Sequence, residues 1–244
     1  MSQRHPGPRI SLLGGFQLET EEQPVLILPE GAQRLLAFLA LKGRLIQRRS
    51  VAGTLWPVAT EVHASSSLRS ALARLQGDAR TSVAVTARDL GLSDDVTVDL
   101  WDARALAHRL LTPTETPPSA DPGPEAIAAL STELLPDWYD EWALVEAEDW
   151  RQLRLHALEV LADRLTARGE YGDAAAAALA AVRAEPLRES PRAALIRVHI
   201  AEGNPSEALR EFAQYGDLLM LELGVEPTER LRTLVADLWP VTQP

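Results

Sequence analysis

The sequence predicts a mainly α protein in two parts. The first has small antiparallel strands, three helices and a hairpin; the second is an all-helical array. Three observations carry this. Short apolar runs broken by turn residues open the first part, a helical period follows, and a period of two closes it. A proline-rich stretch then interrupts the pattern. Beyond it the chain reads as helix throughout, and two segments align at an offset of 34 residues.

The elements follow in order. ISLLGGFQLETEEQPVLILP has short apolar runs broken by Gly-Gly and a Glu-rich turn, and predicts two or three antiparallel strands. In AQRLLAFLALKG, Leu35, Leu36, Leu39 and Ala40 share one face and Gly43 supplies a stop, so a buried helix is expected. A link, RLIQR, leads to a short helix from Arg49 to Trp56, ended by Pro57. The third helix is HASSSLRSALARL, 63–75. Leu68, Ala71, Leu72 and Leu75 form its core stripe, and Gly77 breaks it. The period then returns to two: Val83 and Val85 are expected to pair with Val96, Val98 and Leu100 in a twisted hairpin, with turns at Arg88-Asp89 and Ser93–Asp95. Strands, three helices and a hairpin, in that order, make a winged helix-turn-helix, whose third helix enters the major groove of DNA. WDARALAHRLL adds a further amphipathic helix.

TPTETPPSADPGPE holds five prolines and reads as a linker. The expected boundaries are 1–112, a linker at 113–124, and a helical domain at 125–244. In the helical domain Gly169 aligns with Gly203, Asp173 with Glu207, Ala174 with Ala208 and Leu161 with Leu195. Period and spacing fit tetratricopeptide-like helix pairs, in which a small Ala lets paired helices approach. LPDWYDEW, with Trp138, Tyr139 and Trp142, is read as the seam that packs the first helices of this half.

Composition narrows the function. The 244 residues suffice for two domains, and the absence of cysteine removes disulfides, thiolate metal sites and thiol catalysis. The five histidines show no HExxH spacing, LGG at 13–15 lacks the rest of a phosphate loop, and acid pairs such as Asp140-Glu141 have no neighbouring base or nucleophile. No enzyme, cofactor or metal is therefore expected. The opening MSQRHPGPRI lacks an apolar signal run and no stretch is long enough to cross a membrane, so the expected location is the cytoplasm. The net charge of −11 argues against nucleic acid until it is resolved along the chain. Residues 32–88 hold nine Lys/Arg and two acids, whereas residues 113–244 hold 11 basic and 24 acidic side chains. A local basic block beside an acidic half suggests different partners for each.

The sequence also resembles a family. LPEGAQRLLAFLAL, RSVAGTLWP and SSSLRSALARL are similar to the DNA-binding domain of the Streptomyces antibiotic regulatory protein (SARP) group, an OmpR/PhoB-like winged helix. PLRE at 186–189, GN-x-x-EAL at 203–209 and ELGVEP at 222–227 resemble the bacterial transcriptional activation domain that follows it. The resemblance implies a sequence-specific transcription regulator, usually an activator, that binds direct repeats as at least a dimer and helps recruit RNA polymerase. Residue by residue, Ser66, Arg69, Ser70 and Ala73 take groove-facing positions and Arg74 matches a basic one. Arg69 stands where Gln is usual, and the wing, Thr86 to Leu92, lacks the usual glycine-tyrosine motif.

The chemistry of these side chains fits base reading. Arg69 can donate two hydrogen bonds to guanine, Ser66 and Ser70 can bond a base edge or phosphate, and Ala73 can touch a thymine methyl. Arg44, Arg48, Arg49, Arg74 and Arg88 suit phosphates, which give affinity and register but no sequence information. Two other readings stay open: an adaptor whose repeat domain binds a protein while specific DNA binding is weak or lost, and a regulator that senses a small molecule of unknown identity.

Overall fold

The computed structural model describes residues 7–20, 25–112 and 123–238. No helix among them is long and apolar enough to cross a membrane. Most of the proposed linker, 113–122, lies outside the described residues; Pro124 opens a helix, a position where its missing N–H costs nothing. The chain divides into two compact units, residues 1–102 with 133–150, and residues 103–132 with 151–244. This division does not follow the boundaries drawn from the sequence: 103–112 cluster with the second unit and 133–150 with the first.

The first unit opens with a hairpin of β1 (Arg9–Ser11) and β2 (Gln17–Glu19), Ile10 opposite Leu18. Among the described residues of this stretch no third strand forms; Leu26 N–H donates to Leu18 O at 2.8 Å outside any named strand. Helix α1 (Glu30–Lys42) buries Leu35, Leu36, Leu39 and Ala40. Gly43, at φ 58°, ends it by donating to the Leu39 carbonyl, a left-handed cap that favours glycine. The link RLIQR forms a short strand, β3 (Ile46–Gln47), which leads into α2 (Arg48–Leu55). Helix α3 (Glu61–Ala73) packs on both α1 and α2 through Ala64, Leu68, Ala71 and Leu72. A short helix not expected from the sequence, α4 (Gly77–Thr81), follows.

The hairpin differs from the expected one. Strand β4 (Val83–Val85) pairs antiparallel with β5 (Asp89–Leu92), and β5 pairs with β3. The Thr86 hydroxyl accepts the Asp89 N–H at 2.8 Å and so closes the turn at 86–89, before the chain reaches Val96. A second turn at Ser93–Val96 then sends β6 (Thr97–Val98) to the other sheet, where it lies parallel to β1. Of the expected run Val96, Val98 and Leu100, only Val98 lies in this strand; Val96 precedes it and Leu100 already belongs to the helix that starts at Asp99, because alternation carries neither a partner nor a stop.

Helix α5 (Asp99–Leu111) begins in the first unit and continues in the second. Asp99 ties its start to the N-terminal hairpin: its carboxylate accepts the N–H groups of Leu12 at 2.8 Å, Leu13 at 3.1 Å and Leu100 at 2.7 Å. Burial pushes this carboxyl above the usual carboxylate range, against the pull of those three amides and Arg9. The tryptophan cluster also belongs here. Trp138 lies 6.2 Å from Phe16 and 5.9 Å from Trp142, whose ring meets Phe38 edge-on at 5.3 Å. Trp142 stands in the first turn of the helix Glu141–Ala167, so the seam joins the start of that helix to α1 and the first hairpin. The short bridge of Leu134 to Leu13 delivers it there.

The second unit is helical: α6 (Pro124–Ser131), α7 (Glu141–Ala167, of which 151–167 fall in this unit), α8 (Tyr171–Ala184), α9 (Glu189–Glu202), α10 (Pro205–Leu223) and α11 (Glu229–Val235). The aligned residues are structurally equivalent. Gly169 and Gly203 both follow a helix with positive φ, 77° and 85°. Ala174, Ala208, Leu161 and Leu195 are all fully buried. Charged residues at the same offset pair with each other: Arg197 holds Asp163 through both oxygens at 2.9–3.1 Å, and Arg151 pairs with Glu185. The last pair closes on a core of Ile196, Ala208, Tyr215, Leu219, Leu231 and Val235.

Candidate nucleic-acid interface

Thr60 caps α3, its hydroxyl accepting from the His63 N–H at 3.4 Å, a long contact. With one side of α3 packed on α1 and α2, the other is left bare. Ser66, Arg69, Ser70 and Ala73 are all exposed there, and they fall on one stripe at 100° per residue. The stripe carries no carboxylate.

The arginines assigned to phosphate sort into separate positions. Arg74 ends α3 and is exposed, about 20 Å along the axis from Glu61 at 1.5 Å per residue. Arg48 and Arg88 are brought together, the Arg48 N–H donating to the Arg88 carbonyl at 2.8 Å, so the start of α2 abuts the turn of the hairpin. Arg88 is exposed at that turn, where its N–H contacts the Thr86 hydroxyl at 3.3 Å. Arg44 is exposed beside the same hairpin and lines a shallow cavity with Thr86 and Leu92. Arg49 is already engaged: its guanidinium meets the Glu61 carboxylate at 2.7 Å. Among the described residues no carboxylate pairs with Arg44, Arg48, Arg69, Arg74 or Arg88, whereas Arg34 and Lys42 pair with Asp140 and Glu146. The basic block is thus sorted by the fold, some of its cations neutralised and the rest grouped around α3 and the hairpin.

On this face Val62 lies outside the helix expected from the sequence, and His63, the first residue of that helix, was given no role. Val62, 74% exposed, and His63 precede Ser66 on the stripe. The signal was present, because Thr60 followed by Glu61 is an N-cap with an acid in the first turn, which starts the helix before the stretch that drew notice.

In the second unit, a cavity of about 650 Å³ opens among α7, α9 and α11. Its polar groups largely satisfy one another: Asp163 binds Arg197, Glu189 accepts the Thr228 N–H at 2.9 Å, and Glu159 accepts the Ser190 hydroxyl at 2.9 Å.

A carboxylate-free stripe on α3, with arginines there and at the hairpin that no carboxylate pairs among the described residues, and a second unit built as a helical array with a repeat offset, have the make-up of a bacterial transcription regulator. Residues 97–238 match the model of the family described as bacterial transcriptional activator domain, more than half of the chain, and the chain belongs to that family. The match begins at β6 and so takes in α5, which the sequence reading had left in the first domain. A solved structure of Mycobacterium tuberculosis EmbR in complex with a low affinity phosphopeptide is similar over 95% of this chain, with 22% identity and a TM-score of 0.66. This chain spans 64% of the length of that one. No curated protein matches the chain. The expected fold class, mainly α with small N-terminal strands and an all-helical second part, is borne out, as is the resemblance to SARP-type regulators.

Proposed function

We propose that this transcriptional activator of the SARP type binds double-stranded DNA sequence-specifically, with α3 in the major groove and the β4–β5 hairpin as the wing. The observation that carries the reading is the bare stripe Ser66–Arg69–Ser70–Ala73 with Arg69 unpaired among the described residues. Exposed guanidinium groups on a helix with no carboxylate beside them suit guanine edges. Arg44, Arg48, Arg74 and Arg88 flank the helix and suit phosphates, which fix register. Residues 1–112 hold the reading head, and the acidic helical half from 125 contacts RNA polymerase, pairs two copies on direct repeats, or both. Tandem copies give affinity that one modestly basic head lacks, through effective concentration. The protein acts in the cytoplasm.

The test selects duplexes from a randomised library on the purified protein and titrates the best of them at several salt concentrations, with wild type and Arg69→Ala. A repeated motif, a log–log salt slope of about −4 or steeper and a variant that loses discrimination but not salt-steep binding are expected. No enriched motif, with weak binding indifferent to Arg69, would sink the proposal. An adaptor role would then stand in its place, favoured by the pairing of Arg34, Lys42 and Arg49 with carboxylates, which trims the basic block.

A further inference from the structure

We infer that Val62 is a specificity-determining residue that reads the C5-methyl of a thymine at the leading end of the recognition helix; the inference rests on α3 lying in the major groove. Val62 is 74% exposed in the first turn of α3, on the same stripe as Ser66, Arg69 and Ala73. A β-branched residue is a poor choice for an exposed helix position, where it neither packs nor favours the helix. The core of α3 is supplied by Ala64, Leu68, Ala71 and Leu72, none of which needs Val62. Recognition helices contact base edges chiefly through their N-terminal residues, where Val62 sits.

The surroundings specify the occupant. Glu61, with its partner Arg49, and His63 adjoin Val62 in sequence, Ser66 lies one turn on, and Val58, also exposed, precedes it by four residues, so the exposed apolar groups here are small branched side chains among polar and cationic ones. A protein partner would ask for a broad apolar face. Small exposed alkyl groups among hydrogen-bonding groups match the major groove, where the only apolar feature of a base pair is the thymine methyl. Geometry also sets the spacing. Seven residues separate Val62 from Arg69, roughly 10 Å along the helix, or about three base-pair steps of ~3.4 Å. The recognised half-site should hold a thymine about three base pairs from the guanine read by Arg69.

The experiment uses the full chain and its selected duplex, with each thymine replaced in turn by deoxyuridine, which removes only the methyl. Wild type should lose about four-fold in affinity at one such position, the ratio that corresponds to burial of one methyl group. Val62→Ala should bind the unmodified duplex about that much more weakly and be indifferent to deoxyuridine at that position. Alanine favours a helix more than valine, so an unchanged melting temperature is expected and separates a contact effect from misfolding. If Val62→Ala keeps the full sensitivity of wild type at every thymine while binding stays salt-steep and specific, the inference is overturned and the DNA reading survives. If wild type itself shows no salt-steep, specific binding, both fall.

Discussion

The pairing of Arg49 with Glu61 makes a prediction about affinity that the sequence alone would not. Arg49 was expected on phosphate, yet its guanidinium rests on the carboxylate that opens α3. Glu61→Gln keeps the size of the side chain and removes its charge. Each phosphate neutralised adds about −0.9 to the log–log dependence of affinity on salt. Of the arginines that no carboxylate pairs among the described residues, the four assigned to phosphate, Arg44, Arg48, Arg74 and Arg88, give a slope of about −3.6 per bound copy, and a released Arg49 takes it to about −4.5. Between 50 and 200 mM salt the change of about 0.9 amounts to roughly a 3.5-fold greater loss of affinity in the variant. Stability should fall only slightly. The pair is exposed, at 77% and 61%, so screening leaves it well under about 1 kcal/mol, and the acid at the helix N-terminus adds a few tenths more. Fluorescence anisotropy on a labelled duplex across that salt range reads the slope directly. Equal slopes for wild type and Glu61→Gln would refute the reasoning, since Arg49 would then either reach phosphate despite Glu61 or never reach it.

Three further predictions concern the frame. Tyr215, 2% exposed, donates its hydroxyl to the Leu187 carbonyl at 3.0 Å, so Tyr215→Phe should cost about 1 kcal/mol in urea unfolding; no loss would show that the carbonyl finds another donor. Gly203 caps α9 at φ 85° with open space where a Cβ would stand, so Gly203→Ala should cost about 1 kcal/mol or more through backbone strain alone, and Gly169→Ala should behave alike; a neutral result at both would remove glycine caps as the reason for the repeat. Burial holds the Asp99 carboxyl above its usual range. Its contribution is fully present below the unfolded value of about 3.9 and is lost as pH rises through the folded value. The stability of wild type relative to Asp99→Asn should therefore decline with rising pH across that window, and a difference that instead grows with pH would contradict the burial of the carboxyl.

Much of the fold was legible because it depends on local order. Period separated strand from helix, Gly43 marked a real stop, the aligned Gly169 and Gly203 proved to be equivalent positive-φ positions, and Gly77, expected only to break a helix, opens α4. The 34-residue offset proved to be spatial as well as sequential, since Asp163 and Arg197 face each other across it. The bare face of α3 was also legible, because the same residues that build a helix's core stripe fix what remains outside. What failed was partner choice. Of the expected run Val96, Val98 and Leu100 only Val98 is in a strand, the turn closed by Thr86 gave its place to β5, and the tryptophans at 138 and 142, which pack on each other, also meet Phe16 and Phe38 more than a hundred residues before them.

By itself, then, the sequence determined which segments are helix or strand, where the chain repeats, and which side of α3 is apolar, for these follow from residue spacing on a regular backbone. Only the tertiary structure decided which cations remain unpaired. Arg34 and Asp140 lie 106 residues apart, and Lys42 and Glu146 lie 104 apart. No local pattern can report that such charges cancel, because Coulomb attraction acts across space and the fold alone brings them within reach.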